Sequence, residues 1–259
     1  MPQQITGGDS MKKRITALVI VLAVFLSLMA GAQAEGNPDA TAEPEDARKI
    51  QDILPDISAI KERNRNFRTA GSIVTFGSYE QDNDKDNGTE AIEWMVLEVK
   101  DNQALLLSVY GLELKQYHSK RGRTSWSQCS LRQWMNGSFL KKAFSKKEQA
   151  AILQTTVKDK STGKTSKDRI FLLSAADVTE YLPGKEDRLC KPTPYVLAGK
   201  KVPRLSEEGY ADWWLMNVIP KSSKAYVITR SNQETTVMTT SADIMVRPVI
   251  RIDLKKVPD

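Results

Sequence analysis

Histidine is almost missing from this chain: His118 is the only one in 259 residues. With a single histidine, neither a His-rich zinc site nor Ser/His/Asp machinery can be assembled. His118 lies in the polar stretch 115–123 and is expected at the surface. Cysteine is nearly as scarce, with Cys129 and Cys190 alone. An even pair permits a disulfide between them in an oxidising compartment; two small buried thiols are the other reading. Cys129 as a nucleophile would need His118 beside it, and nothing in the sequence requires that. No glycine-rich phosphate loop and no internal repeat occurs. Formal net charge is +6, but Lys and Arg are scattered rather than striped and no nucleic-acid motif accompanies them. Nucleic acid is therefore not an expected partner, and no cofactor is implied. Affinity for an anionic cell-wall polymer or membrane surface would be unspecific.

Long apolar runs are also few. One, residues 15–29, follows Lys12-Lys13-Arg14 and precedes Ala32-Gln33-Ala34. This is the order of a secretory signal peptide, with cleavage expected after Ala34. The run is shorter than the ~20 residues a membrane span prefers, so no span is expected in the mature chain. No cysteine follows it to carry a lipid anchor. Gly7-Gly8-Asp9 can be encoded as a ribosome-binding site, so Met11 is the expected start; other codons at Gly7 and Gly8 would exclude this. The protein is expected to be secreted or to sit outside the cell envelope.

What is present then divides the rest of the chain. Residues 35–46 are acidic, proline-bearing and poor in large apolar side chains, as in a disordered linker. Residues 47–70 place Ile50, Ile53, Leu54, Ile57 and Ile60 at helical intervals around Pro55, which suits a broken helical stalk. Residues 71–259 form the expected globular domain. Strands are expected at 72–79, 92–99 and 104–109, the last after a turn at Asp101-Asn102. The loop 81–88 carries Asp82, Asp84 and Asp86 in an EF-hand-like calcium count ending at Glu93. Its glycine comes one place late and its flanks read as strands, so a solvated hairpin loop is expected instead.

A helix is expected around Leu131, Trp134, Met135 and Phe139, capped by Ser127 or Ser130, with Asn136-Gly137 ending or kinking it. Capping boxes at Ser145–Glu148 and Ser174–Asp177 start two further helices. Residues 158–168 and 188–210 read as loops, 170–173 as a short buried strand, and 225–240 as a hairpin around Ser231-Asn232. The centre of the domain is expected at 212–250. It opens with Trp213-Trp214, whose apolar rings are costly to leave in water. It closes with an alternating stretch, 246–254, expected as one strand containing Arg247. Arg247 is expected to be buried and ion-paired beside Pro248.

Seven motifs occur in order: Phe76-Gly77-Ser78-Tyr79, Ile92-Glu93-Trp94, Cys129 through Asn136, Phe171 through Ser174, Cys190 through Thr193, Trp213-Trp214-Leu215, and Val246-Arg247-Pro248. Together, over residues 71–254, they resemble a bacterial domain of unknown function, the six-two-seven-three member of its series. That family continues Trp-Trp-Leu with Arg-Ser-Pro-Gly; here Met216-Asn217-Val218-Ile219-Pro220 follows. The departure either removes ligand contacts or remodels a turn. At fold level the layout is similar to the C-type-lectin and formylglycine-generating-enzyme superfold. That resemblance implies an α+β domain with mixed, mainly antiparallel sheets, a few short helices, long loops and terminal strands that meet. The closely spaced late cysteines of a formylglycine-generating site are not matched by Cys129 and Cys190.

The leading expectation is a non-catalytic domain that binds a cell-wall glycan or a surface protein. Trp213, Trp214, Asn217, Arg247 and Trp126 are its candidate contact residues, because one ring of an adjacent pair can face outward on a strand. Trp134 and Trp94 are expected in the core. The alternatives are a cell-wall- or glycan-modifying hydrolase using acids on the 158–168 and 188–210 loops, and a structural or assembly subunit.

Overall fold

The computed structural model describes residues 66–159 and 162–257. The expected signal segment, the acidic linker and all but the end of the stalk lie outside the described residues. In chain order, β1 (Ile73–Tyr79), β2 (Glu90–Lys100) and β3 (Gln103–Ser108) form an antiparallel meander. The turn between β2 and β3 is Asp101-Asn102, with φ of 52° and 56°. Two left-handed residues in a two-residue loop match the twist of a hairpin, and Asp and Asn tolerate that conformation. After β4 (Glu113–Leu114) comes α1 (Ser130–Trp134). It runs through a π-helical turn (Met135–Phe139) into α2 (Leu140–Ala143), and α3 (Lys146–Ala151) follows.

Next are β5 (Thr155–Lys158), β6 (Thr165–Asp168), β7 (Ile170–Phe171), α4 (Ala175–Tyr181) and α5 (Pro194–Leu197). The last part holds β8 (Trp213–Val218), β9 (Lys224–Ile228), β10 (Glu234–Met238), β11 (Met245–Val246) and β12 (Val249–Asp253). Both expected capping boxes form, at Ser145 with Glu148 and at Ser174 with Asp177. The cap of α1 is neither serine that was expected. It is Cys129, whose Sγ accepts from the Arg132 N–H.

The fold is α+β, with mostly antiparallel sheets and few short helices. One sheet has the order β1-β2-β3-β12-β7, the other β10-β9-β8-β11-β4, and β5 pairs with β6 as a separate hairpin. That hairpin replaces the loop expected at 158–168. β11 and β8 pair in parallel; the other pairings in these sheets are antiparallel. The first and last strands share a sheet but do not meet, because β2 and β3 lie between them.

The closing stretch is two strands in two sheets rather than one. Arg247-Pro248 is where the chain passes from β11 to β12. Proline has no N–H to give to a ladder, so a strand interior is a poor place for it and a crossing point a good one. The link from β3 to β4 crosses beside it: the Ser108 N–H donates to Pro248 O at 3.0 Å and the Leu112 N–H to Val246 O at 3.0 Å. Two adjacent chain segments therefore tie the sheets together.

β8 is the middle of the second sheet, and Trp213, Trp214, Leu215 and Met216 are all buried in it. The expected centre of the domain is therefore its observed centre. On the first sheet, Ile92, Trp94 and Val96 of β2 alternate as one buried face. Trp94 donates its indole N–H to Phe76 O at 2.7 Å, across the bulge of β1. No described helix is long and apolar enough to cross a membrane.

Candidate functional site

A tryptophan, a tyrosine and several charged side chains reach the surface together in a cleft of about 580 Å³. Three chain segments build most of it: β4 and the residues after it, α1, and the stretch from α5 to Lys201. Trp134, Tyr195, Glu113, Lys115, Lys200 and Lys201 are its chemically distinctive lining residues.

Trp134 is aimed by the way α1 is anchored. Residues Leu131, Met135 and Phe139 form the fully buried row of the helical stretch, and Trp134 lies on its flank, half-buried. Arg132 and Asn136 fix the helix to β6 and β7. The Arg132 Nε–H donates to Asp168 Oδ1 at 2.6 Å. The Asn136 amide donates to Ile170 O at 2.7 Å and accepts from the N–H groups of Arg169 and Ile170 at 2.8 and 3.1 Å. One asparagine thus pairs with the β7 backbone as a neighbouring strand would. The Trp134 ring packs on Phe139 at 5.1 Å, and the Lys115 ammonium lies 4.7 Å from its centroid.

Glu113 faces this cleft from β4, and its Oε2 accepts from the Tyr79 hydroxyl at 2.9 Å. Tyr195 meets Tyr79 edge-on at 6.1 Å. Burial, and then the charge of Glu113, pushes both phenols above their ordinary pKa, so they stay neutral donors. Among the described lining residues Glu113 is the one carboxylate, against Lys115, Lys200 and Lys201.

The residues expected to bind are elsewhere. Trp213, Trp214 and Trp126 are each 0% exposed, so none offers a ring face for stacking on a sugar. Their indole N–H groups donate to Arg188 O, Lys115 O and Asp168 Oδ2, each at 2.8 Å. The expectation of one ring outward fails because β8 is covered on both faces. Asn217 is half-buried and accepts from the Ala175 N–H at 2.8 Å, tying β8 to the start of α4.

Arg247 is buried, as expected, but its partners are not carboxylates. Its Nε–H donates to Ser108 O at 2.9 Å, a terminal N–H reaches Asp187 O at 3.4 Å, and its guanidinium lies 5.0 Å from the Trp213 centroid. Burial lowers its pKa. Two carbonyls and an aromatic face replace the expected ion pair.

Cys129 and Cys190 are free and buried, not bridged. Burial pushes the Cys129 thiol up to about 12, which leaves it unsuited to nucleophilic work. His118 is half-buried and its Nδ1 accepts from the Ser130 N–H at 3.3 Å. It supports the start of α1 instead of a thiol.

Two of the acids considered for hydrolysis, Asp159 and Asp168, are committed to structure. Asp159 closes the β5–β6 turn, accepting from the Thr162 hydroxyl at 2.7 Å. Asp168 is buried and accepts from Arg132, Trp126 and Ser166. A second cleft, of about 610 Å³, holds Glu186 and Glu208 beside Lys185, Arg188 and Arg230. There the Ser206 hydroxyl holds Glu208 below the usual carboxylate range, the opposite of what a general acid needs.

The calcium count is also redistributed. Asp84 Oδ1 accepts from the Asp86 N–H at 3.1 Å, Asp86 is exposed, and Glu93 stays in β2 opposite Thr75. Asp82 instead lies with Glu80 and Glu90, an arrangement that a count along the loop does not reach.

A family model described as a domain of unknown function (DUF6273) matches residues 101–254. The match begins in the β2–β3 turn, so the Phe76–Tyr79 and Ile92–Trp94 motifs precede it. No curated protein and no solved structure gives a significant match.

Proposed function

The chain belongs to the DUF6273 family, a domain of unknown function, and from that premise we propose that it is a non-catalytic module that binds an acidic glycan in the Trp134 cleft. The observation that carries this reading is the lining itself: a half-buried tryptophan and a tyrosine beside three lysines and one glutamate. Aromatic walls with a few placed polar groups are the usual make-up of a ligand site. The lysine excess favours a polymer bearing carboxylate or phosphate groups. A lone carboxylate, already engaged by Tyr79, favours binding over paired-carboxylate hydrolysis. A secreted protein working on cell-wall polymer at the cell exterior fits the leader read from the sequence. The lectin-like form of the proposal rests on loops gathered around a cleft, not on strand order, since β1 and β12 do not pair.

The test is an array of neutral and acidic cell-wall glycans probed with the full-length chain, Trp134→Ala and Lys200→Ala, each checked for folding by circular dichroism. Binding confined to acidic polymers, falling as salt rises and lost in both folded variants, is expected. No binding to any polymer, or binding unchanged in both variants, would overturn the proposal and move the cleft to a protein partner.

A further inference from the structure

The loop end of the β1–β2 hairpin carries a group of acids that the glycan reading does not use. The strand register sets Tyr79 opposite Glu90. Glu80, the next residue along the chain, is thereby brought across the hairpin to Glu90, and the loop folds Asp82 back onto both. One oxygen from each of these three side chains lies within 4.8 Å of the other two. Oxygens bound to a single calcium ion at about 2.3–2.6 Å can be no more than about 5 Å apart, so this spacing suits one ion between them.

Acids alone do not make a site, and the second observation is the state of Glu80. It is only 6% exposed; its carboxylate meets the Asn83 N–H and the Asp82 side chain, and its Oε1 is left with no hydrogen-bond partner. A buried carboxylate oxygen left without a donor is costly, and here it belongs to the group that faces two other carboxylates. None of the ion pairs among the described residues involves Glu80, Asp82 or Glu90. The neighbouring N–H groups of Gln81, Asp82 and Asp84 go to Glu90 and Asp82 rather than to Glu80. Glu90 Oε2 accepts from the Gln81 and Asp82 N–H groups at 2.6 and 3.2 Å, and Asp82 Oδ1 accepts from the Asp84 N–H at 2.8 Å. These bonds orient the carboxylates, and no lysine or arginine among the described ion pairs reaches them.

We propose that Glu80, Asp82 and Glu90 bind a divalent cation, calcium, which locks the 80–90 loop closed. All three donors are hard carboxylate oxygens, and they sit on a loop able to adapt to the high coordination number calcium takes, with carbonyls or water completing it. The loop is in turn part of the cleft wall: Asn83 lines the cleft, and the Tyr195 N–H donates to Gln81 O at 2.8 Å. Calcium therefore stabilises both the hairpin and the edge of the cleft. The cation site does not depend on which ligand the cleft takes, and its test needs none.

The experiment is calorimetric titration of the full-length, chelator-stripped chain with calcium chloride, alongside thermal unfolding with and without calcium. Saturable heat and an upward shift in unfolding temperature are expected for the wild type. Both should be lost in Glu80→Gln and Asp82→Asn, which keep the side-chain shapes and remove one charge each. Should Glu80→Gln fail to fold, Asp82→Asn alone decides, because its side chain is half-exposed. Absence of saturable heat up to ~10 mM calcium, above the weakest affinities of extracellular calcium modules, would overturn the proposal. An equal temperature shift in a folded Asp82→Asn would do so as well.

Discussion

Cys129 and Cys190 illustrate how far a side chain's surroundings can depart from what its type suggests. An even cysteine pair invites a bridge, yet each thiol here is buried and has its own neighbours. Cys129 donates to Trp126 O at 3.3 Å, and Cys190 lies 3.7 Å from Val109 O. Thiol titration is expected to find no reactive group in the native protein at neutral pH and two after denaturation without reductant. A disulfide would give none. Alkaline pH should weaken the fold through the same residue. The Cys129 thiol moves from 9.0 to about 12 on burial. The neutral thiol is thus favoured in the folded state, and its contribution is complete below pH 9 and lost as pH rises toward 12. Sequence identifies such residues but not their partners. Arg247 was correctly expected inside, while the two carbonyls and the Trp213 ring that hold it come from segments far apart in the chain.

At the scale of elements, the local signals were the legible ones. Asp101-Asn102 turns, Ser145 and Ser174 cap, and Asn136-Gly137 disturbs its helix, because each depends on residues within a few positions. What could not be read was anything decided by register or by sheet exchange. The closing stretch alternates like one strand, but Pro248 sits at a crossing between sheets. Glu80 and Glu90 meet because of the β1–β2 register, and no count along the loop shows that. The bulge in β1 supplies a test of this kind of packing. Gly77 has φ of 71°, and a Cβ there would come within 2.6 Å of Ala143 O and the Phe144 ring. Gly71 has φ of 84° and open space around it. Gly71→Ala should therefore show backbone strain alone, about 1 kcal/mol, while Gly77→Ala adds the clash and should lose about 2–4 kcal/mol in urea unfolding. Equal losses would mean that α2 and α3 do not press on the bulge.

Across the described residues, the tryptophans divide into a packed interior and one surface site. Four of the five tryptophans, Trp94, Trp126, Trp213 and Trp214, are fully buried. The fifth, Trp134, is half-buried at the cleft. The adjacent pair drew attention in the sequence because two large rings together demand an explanation, and the explanation is the core. Trp134 was grouped with Leu131, Met135 and Phe139 on one helix side. Spacing of four links those three, and Trp134 falls one step off the row, which is the signal that could have marked it. The cleft of the binding proposal therefore holds a single indole, and acrylamide quenching of tryptophan fluorescence tests the proposal directly. In the full-length chain one minor accessible class is expected, absent from Trp134→Phe and protected when an acidic cell-wall glycan is added. A quenchable fraction that persists in Trp134→Phe, or that every glycan leaves unchanged, would contradict the account.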